Sequence, residues 1–311
     1  MGKYVAKRLV ETALILLLVS FLTFSLLSIV PGDPVARILG ENADTTLYDS
    51  TRVMFGLDKP FLLQYWNWLT GIFHGDFGIS YVSYEPVTKL LGERLPITVF
   101  LSLMSILCST VVGVLLGCLA AVYHGKKIDL MLNLAANLVN GIPTFWLGIV
   151  LIYLFAIKWN IFPLYGFQWP RDGGWKSCIL PILCMSIGSA AMIMRQTRFA
   201  ILEVIRQDYV RTARAKGVGY VKVMIRHVLR NAWIPVITIL GMRFSSLIGG
   251  SIFIEQVFLI PGIGQLLITS VQQMNVPVIQ ACVLLITAVG CIANLVVDLL
   301  YGIVNPQIHL R

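Results

Sequence analysis

Six apolar stretches constrain this chain more than any other feature: residues 9–30, 97–123, 131–157, 178–194, 233–254 and 278–302. A bilayer core about 30 Å thick is crossed by roughly 20 apolar residues at a rise of about 1.5 Å each. Five of the stretches reach that length. The fourth, Cys178 to Met194, is shorter. Pro181 falls in its first turn, where a missing N–H does little harm, and Gly188 lies inside, so it reads as a short, tightly packed span. Lipid offers the backbone no hydrogen-bond partners, and a helix satisfies its own. The expectation is an all-α polytopic membrane protein of six transmembrane helices, forming a single domain over residues 1–311. Composition agrees: 57% of the residues are hydrophobic and 13% charged, against about 45–50% and 25% in soluble domains.

Lys3, Lys7 and Arg8 ahead of the first stretch also fit a secretory leader. Its 22 residues exceed a leader's apolar core of about 7–15, and Ser28-Ile29-Val30-Pro31 is a poor cleavage site, so it is expected to stay as a membrane helix. With the N-terminus inside, the cytoplasmic segments hold 15 of the 24 Lys and Arg, nine of them between Arg195 and Arg230, and the external segments hold eight. Both termini are therefore expected in the cytoplasm. The net charge of +9 follows from flanks lying near anionic lipid and requires no nucleic-acid partner.

The side chains that usually carry chemistry are scattered. Cys108, Cys118, Cys184, Cys282 and Cys291 lie inside spans and Cys178 at a span's edge, with no pair at zinc or redox spacing. They read as small packing residues. His74, His124, His227 and His309 form no ligand set. Catalytic, cofactor-binding and metal-binding residues are therefore expected to be absent, and no Gly-x-Ser-x-Gly or His-Glu-x-x-His pattern points to a membrane enzyme. Ser105, Ser109, Gly113, Gly117 and Ala121 recur every fourth residue and predict close helix packing, within the chain or against a partner. Gly241, Ser245 and Gly249 form a shorter strip of the same kind. In the external loop, residues 31–96, the aromatic-rich stretch Phe61 to Leu69 reads either as a helix lying on the membrane surface or as a platform for an external partner.

The cytoplasmic loop, residues 195–232, is the most informative segment. Residues Tyr209 to Lys216 are mostly good helix formers. Gly217 supplies a left-handed position to end that helix, and Gly219 lets the chain reverse into a second short helix from about Tyr220 to Arg230. A DNA-binding role is disfavoured, because both ends of the loop are anchored close to the bilayer. Lipid-surface binding and docking to a cytoplasmic protein both remain open on composition.

Here the residues resemble a known family. Asp208-Tyr209-Val210-Arg211-Thr212-Ala213-Arg214-Ala215-Lys216-Gly217, followed by Arg226-His227-Val228-Leu229-Arg230-Asn231-Ala232, is similar to the cytoplasmic loop of permease subunits in the dipeptide, oligopeptide and nickel branch of bacterial ABC importers. Further blocks occur in the family's order: Pro31-Gly32-Asp33-Pro34, Gly56 to Pro60 leading to Gln64-Tyr65, Gly75 to Ser80, Ile142 to Gly148, Glu255 to Phe258 with Pro261 to Gly264, and Asn305-Pro306. The general importer loop pattern is Glu-Ala-Ala, three residues, Gly, nine residues, Ile-x-Leu-Pro. Of it only Ala213, Gly217 and Leu229 survive, a weakening typical of this branch.

The resemblance implies the type I ABC importer permease fold in a bacterial inner membrane. It implies a coupling helix, here Asp208, Tyr209, Arg211, Ala213, Arg214, Ala215, Lys216 and Gly217 with Leu229, seated on an ATPase. The implied partners are a second related permease, two cytoplasmic ABC ATPases and an external solute-binding protein. ATP and Mg would sit on the ATPases, since this sequence has no Gly-x-x-x-x-Gly-Lys-Ser/Thr loop. Arg243, near the middle of the fifth span, and Glu255, at its outer end, are the candidates for a translocation path or gate. Asp298, beside Asn294, reads as a packing anchor. The implied cargo is small peptides, with nickel or a metal chelate as the alternative, because residues 158–177 lack the long insertion of some dipeptide permeases. An ion-driven secondary transporter is the rival from another class. It would be expected to carry internal repeats and more intramembrane acids than Glu11 and Asp298.

Overall fold

The computed structural model describes residues 2–29, 34–40 and 44–304. Pro31-Gly32-Asp33 and Asn305-Pro306 therefore lie outside the described residues. Among those described, the regular structure is helical apart from a single bridge between Ile79 and Pro86. The chain divides into two compact units, Met1–Thr98 with Pro261–Cys291, and Val99–Ile260 with Ile292–Arg311.

The first unit contains α1 (Gly2–Ile29), α2 (Pro34–Leu39), α3 (Thr45–Met54), α4 (Phe61–Phe73) and the start of α5 (Val87–Val122). The aromatic stretch is α4, and it leans on α1. Phe21 and Phe24 meet Phe61 and Tyr65 edge to face at 5.3–6.2 Å, and Ser20 Oγ lies 2.9 Å from the Tyr65 hydroxyl. Its other side, with Leu62, Trp66 and Phe73, stays exposed. Asp44 caps α3 through the Thr46 N–H, as expected of a carboxylate at a helix N-terminus.

The core of this unit joins Val87 and Leu91 to Ile263, Val278, Ala281 and Cys282. Buried Asn275 ties the segment before α5 to that core, donating to Ser80 Oγ at 2.8 Å and accepting from the Tyr81 N–H at 2.9 Å. Burial pushes the Tyr81 phenol up to about 12. An open cleft of about 890 Å³ is lined by α1, α3, α4 and the 76–84 segment.

The second unit is organised by one helix. The third apolar stretch is not a single straight span: α6 (Lys127–Gly141) and α7 (Thr144–Leu151), extended by a π-helical segment over Ile152–Lys158, meet at 101°. Pro143 forces the break by pushing Ile142 into extended backbone (ψ 124°), since the residue before a proline disfavours the helical region. The short fourth stretch lies in α8 (Trp175–Ile205), a continuous helix of 31 residues. It starts before Cys178, so Pro181 sits inside the helix rather than in its first turn. This helix packs on α6, α7 and α11 (Arg230–Val257).

The small-residue strip of α5 also packs on it. A Cβ on Gly113 would lie 2.7 Å from Ile193 Cβ, and one on Gly117 would lie 2.6 Å from Thr197 Cβ. Ser105, Ser109 and Ala121 are buried on the same face, and Ser186 Oγ donates to the Ser105 carbonyl at 3.1 Å. The strip is an intrachain seam with α8. In the other strip, the side chains of Gly241 to Ser245 lie outside the described residues, and Gly249 has open space around it.

Candidate functional site

Between α8 and α11 the chain makes a small, rooted projection. After Ile205 it turns through Arg206 and Gln207, whose carbonyl accepts from the Val210 N–H at 3.0 Å, and enters α9 (Asp208–Ala215). Asp208 sits in the first turn, where a negative charge opposes the helix dipole favourably. Its contact to Arg211, at 3.6 Å between two well-exposed side chains, is a surface pair worth little by itself. At the other end Gly217 has φ +76°, and the Val218 N–H donates to the Ala213 carbonyl at 3.2 Å, closing the helix. A Cβ on Gly217 would meet nothing within 4 Å. Glycine is needed there for its backbone conformation and not for space.

The root is apolar. Val210 packs with Val223, Met224, Val228 and Ala232, and with Ala121, Ala200 and Ile201 from the ends of α5 and α8. Ala213 and Leu229 lean on this cluster from its edge. Tyr209 reaches sideways, its hydroxyl accepting from Asn231 Nδ2 at 2.8 Å. Asp208, Arg211, Ala215, Lys216 and Gly217 face outward. Of the nine positions named from the sequence, the fold thus separates an exposed face from two packing residues. The Arg214 side chain lies outside the described residues. The second limb differs from expectation: α10 (Tyr220–Val223) runs through a π-helical segment, Met224–Leu229, directly into α11, with no break before the fifth stretch.

The sequence reading missed Asp129, in the first turn of α6. Its side chain is 6% exposed, yet both oxygens are filled. Oδ1 accepts from Arg198 Nε at 2.6 Å and Asn133 Nδ2 at 2.7 Å, and Oδ2 accepts from Arg198 Nη2 at 2.8 Å and the Gly125 N–H at 3.0 Å. The Arg198 guanidinium, helped by the Gly125 N–H and His124, holds this carboxyl well below the usual carboxylate range against the opposing effect of burial. The same pairing raises Arg198. His124 Nδ1 is 3.2 Å from Asp129 Oδ2 and 3.0 Å from Arg198 Nη2. It can donate to the first or accept from the second, and not both at once. The available signal was a lone acid beside Lys126 and Lys127 at the edge of an apolar run, where an unpartnered charge is costly.

The two gate candidates do not come together. Arg243 and Glu255 are twelve residues apart on α11, about 18 Å along its axis. The side chains of Arg243 and Asp298 lie outside the described residues. Glu255, in the last turn, is fully buried, and its carbonyl accepts from the Ile260 N–H at 2.8 Å as the chain turns through Leu259 (φ +49°). It borders no solvent here.

Residues 113–310 match the family described as inner membrane component of binding-protein-dependent transport systems, and residues 1–102 match the N-terminal part of such components. The chain belongs to this family. Relatives of the permease include a putative peptide transport system permease protein of Brucella suis, 37% identical over 99% of both chains. A glutathione transport system permease protein of Escherichia coli is 39% identical over the full length of both. Among solved structures, an amino acid ABC transporter with histidines (TM-score 0.51, 18% identity) covers 71% of this chain and 95% of its own. The MetNI methionine ABC transporter (TM-score 0.53, 20% identity) covers 68% and 95%. The permease therefore has the type I ABC importer fold and is a multi-pass inner-membrane transport subunit. Family membership sets aside the ion-driven secondary transporter.

Proposed function

We propose that this permease carries small peptides across the inner membrane, driven by two ATPase subunits and supplied by an external solute-binding protein, with a second related permease completing the pathway. The observation that carries the reading is α9, an exposed charged helix with an apolar root packed on the ends of α5 and α8. Such an element can be pushed without unfolding. Asp208, Arg211, Lys216 and Gly217 are the face offered to an ATPase, Ala213 and Leu229 hold that face to the bundle, and ATP and Mg are bound by the partner. Both termini, and α9 with them, lie on the cytoplasmic side.

Peptide cargo is supported by the relatives, a putative peptide transport permease and a permease of a transport system for glutathione, itself a tripeptide. Nickel chelates are not favoured. The test is uptake in vesicles carrying the assembled transporter, together with calorimetry of its binding protein. Di- and tripeptides should bind and be taken up with ATP, and nickel chelates should do neither. Gly217→Val should lower uptake by about tenfold or more, because a β-branched residue tolerates positive φ poorly and the turn after α9 would be lost. Gly217→Asn should lower it far less. Normal uptake by a well-expressed Gly217→Val variant would remove α9 from the mechanism.

A further inference from the structure

The turn of α8 just before the α9 corner is gripped from three sides. Gly117 of α5 presses on Thr197. Val210 of α9 packs in the cluster that includes Ala200 and Ile201. Asp129 of α6 holds Arg198. The first two contacts are apolar, and apolar helix contacts allow small sliding motions. The third is directional: a planar guanidinium and a carboxylate joined by two parallel hydrogen bonds fix angle as well as distance. One turn earlier, Arg195 Nη1 donates to Asn137 Oδ1 at 2.9 Å, so two arginines on one face of α8 reach the same partner helix. Beside the Arg195 contact, Ala136 packs on Ala191 and Met194. At its far end α6 bends through 101° into α7.

We infer that Asp129 is a positioning residue for transport, clamping α6 to the α8–α9 corner through Arg198 so that a push on α9 is carried into the broken α6–α7 pair. This rests on the reading of α9 as the ATPase contact. The clamp suits the task because it is buried and fully hydrogen-bonded, and because no other carboxylate among the described residues ion-pairs with Arg198. Without it, α6 and α8 keep their apolar contact and the single Arg195–Asn137 hydrogen bond but lose the two-point bond that makes them turn together.

The experiment uses the whole transporter, permease pair, ATPases and binding protein, reconstituted in lipid vesicles, and reads peptide uptake per ATP hydrolysed. Asp129→Asn should assemble, hydrolyse ATP within about twofold of the parent, and take up about tenfold less peptide per ATP. Arg198→Lys keeps the charge without the fork and should lower the ratio by about threefold. Uptake and hydrolysis falling in parallel, or an unchanged ratio, would overturn the proposal. Should Asp129→Asn fail to assemble, the same criteria apply to Arg198→Lys. Gly217→Val separates the two readings. If it is defective while both clamp variants keep the parent ratio, only the clamp falls. If it transports normally, the reading of α9 falls, whatever the clamp variants do.

Discussion

Two of the permease's helices, α1 and α8, are alike in apolar character and opposite in setting. Both are apolar enough to cross a membrane, yet 11% of the apolar stretch of the first and 56% of that of the second is buried within the chain. The difference lies in what faces them. Against α8 stand α6, α7 and α11 together with the small-residue face of α5, which lets the backbones close up at Gly113 and Gly117. Against α1 stands α4, which touches it through bulky rings. In lipid, where apolar burial does not distinguish protein from solvent, close approach and specific polar contacts are what hold helices together. Hydropathy sorts residues into the membrane, and side-chain size sorts helices within it.

The comparison is broken most directly at the seam. Gly117→Val adds a branched side chain where even a Cβ lies 2.7 Å from the Met194 carbonyl, and should destabilise the detergent-solubilised protein by about 3 kcal/mol, read as a lower thermal midpoint. Next comes the charge clamp. Asp129→Asn should cost about 2 kcal/mol at neutral pH, as expected for hydrogen bonds to a charged group. Because the folded-state carboxyl titrates below its unfolded value, that advantage is present above the ordinary carboxylate pKa of about 4 and is lost as pH falls through the folded value. The gap in midpoint between parent and variant should therefore stay constant from pH 8 to about 5 and narrow only in stronger acid. A gap that changes between pH 6 and 8 would overturn this assignment to the Asp129 carboxyl.

Smaller effects belong to α1. Tyr65→Phe removes the partner of Ser20 and should cost about 1 kcal/mol. Leu14→Ala, at a residue 60% exposed within the chain, should cost less than about 0.5 kcal/mol. A large loss at Leu14 would mean that α1 has a protein neighbour in the assembled transporter.

How much was legible beforehand depended on whether the signal was local. The turn at Gly217 is a one-residue backbone requirement, and it is found where the sequence put it. The strip from Ser105 to Ala121 announced a seam, because a four-residue period lies on one face of one helix. It did not name α8 as the other half. The break in the third stretch had its marker in Gly141-Ile142-Pro143, masked by unbroken hydropathy on either side. Asp129 stayed hidden because its partner is 69 residues away, and nothing near it in sequence announces an arginine.

By itself the sequence determined the solvent of this protein, its helical class, its kinship and the place where one exposed helix must end. These follow from composition, from runs of apolar residues and from a single left-handed position, all properties of short segments. Only the tertiary structure decided which helix fills the seam, where the third stretch bends, and that Asp129 and Arg198 share one buried bond. Those depend on residues far apart in the chain meeting at contact distance.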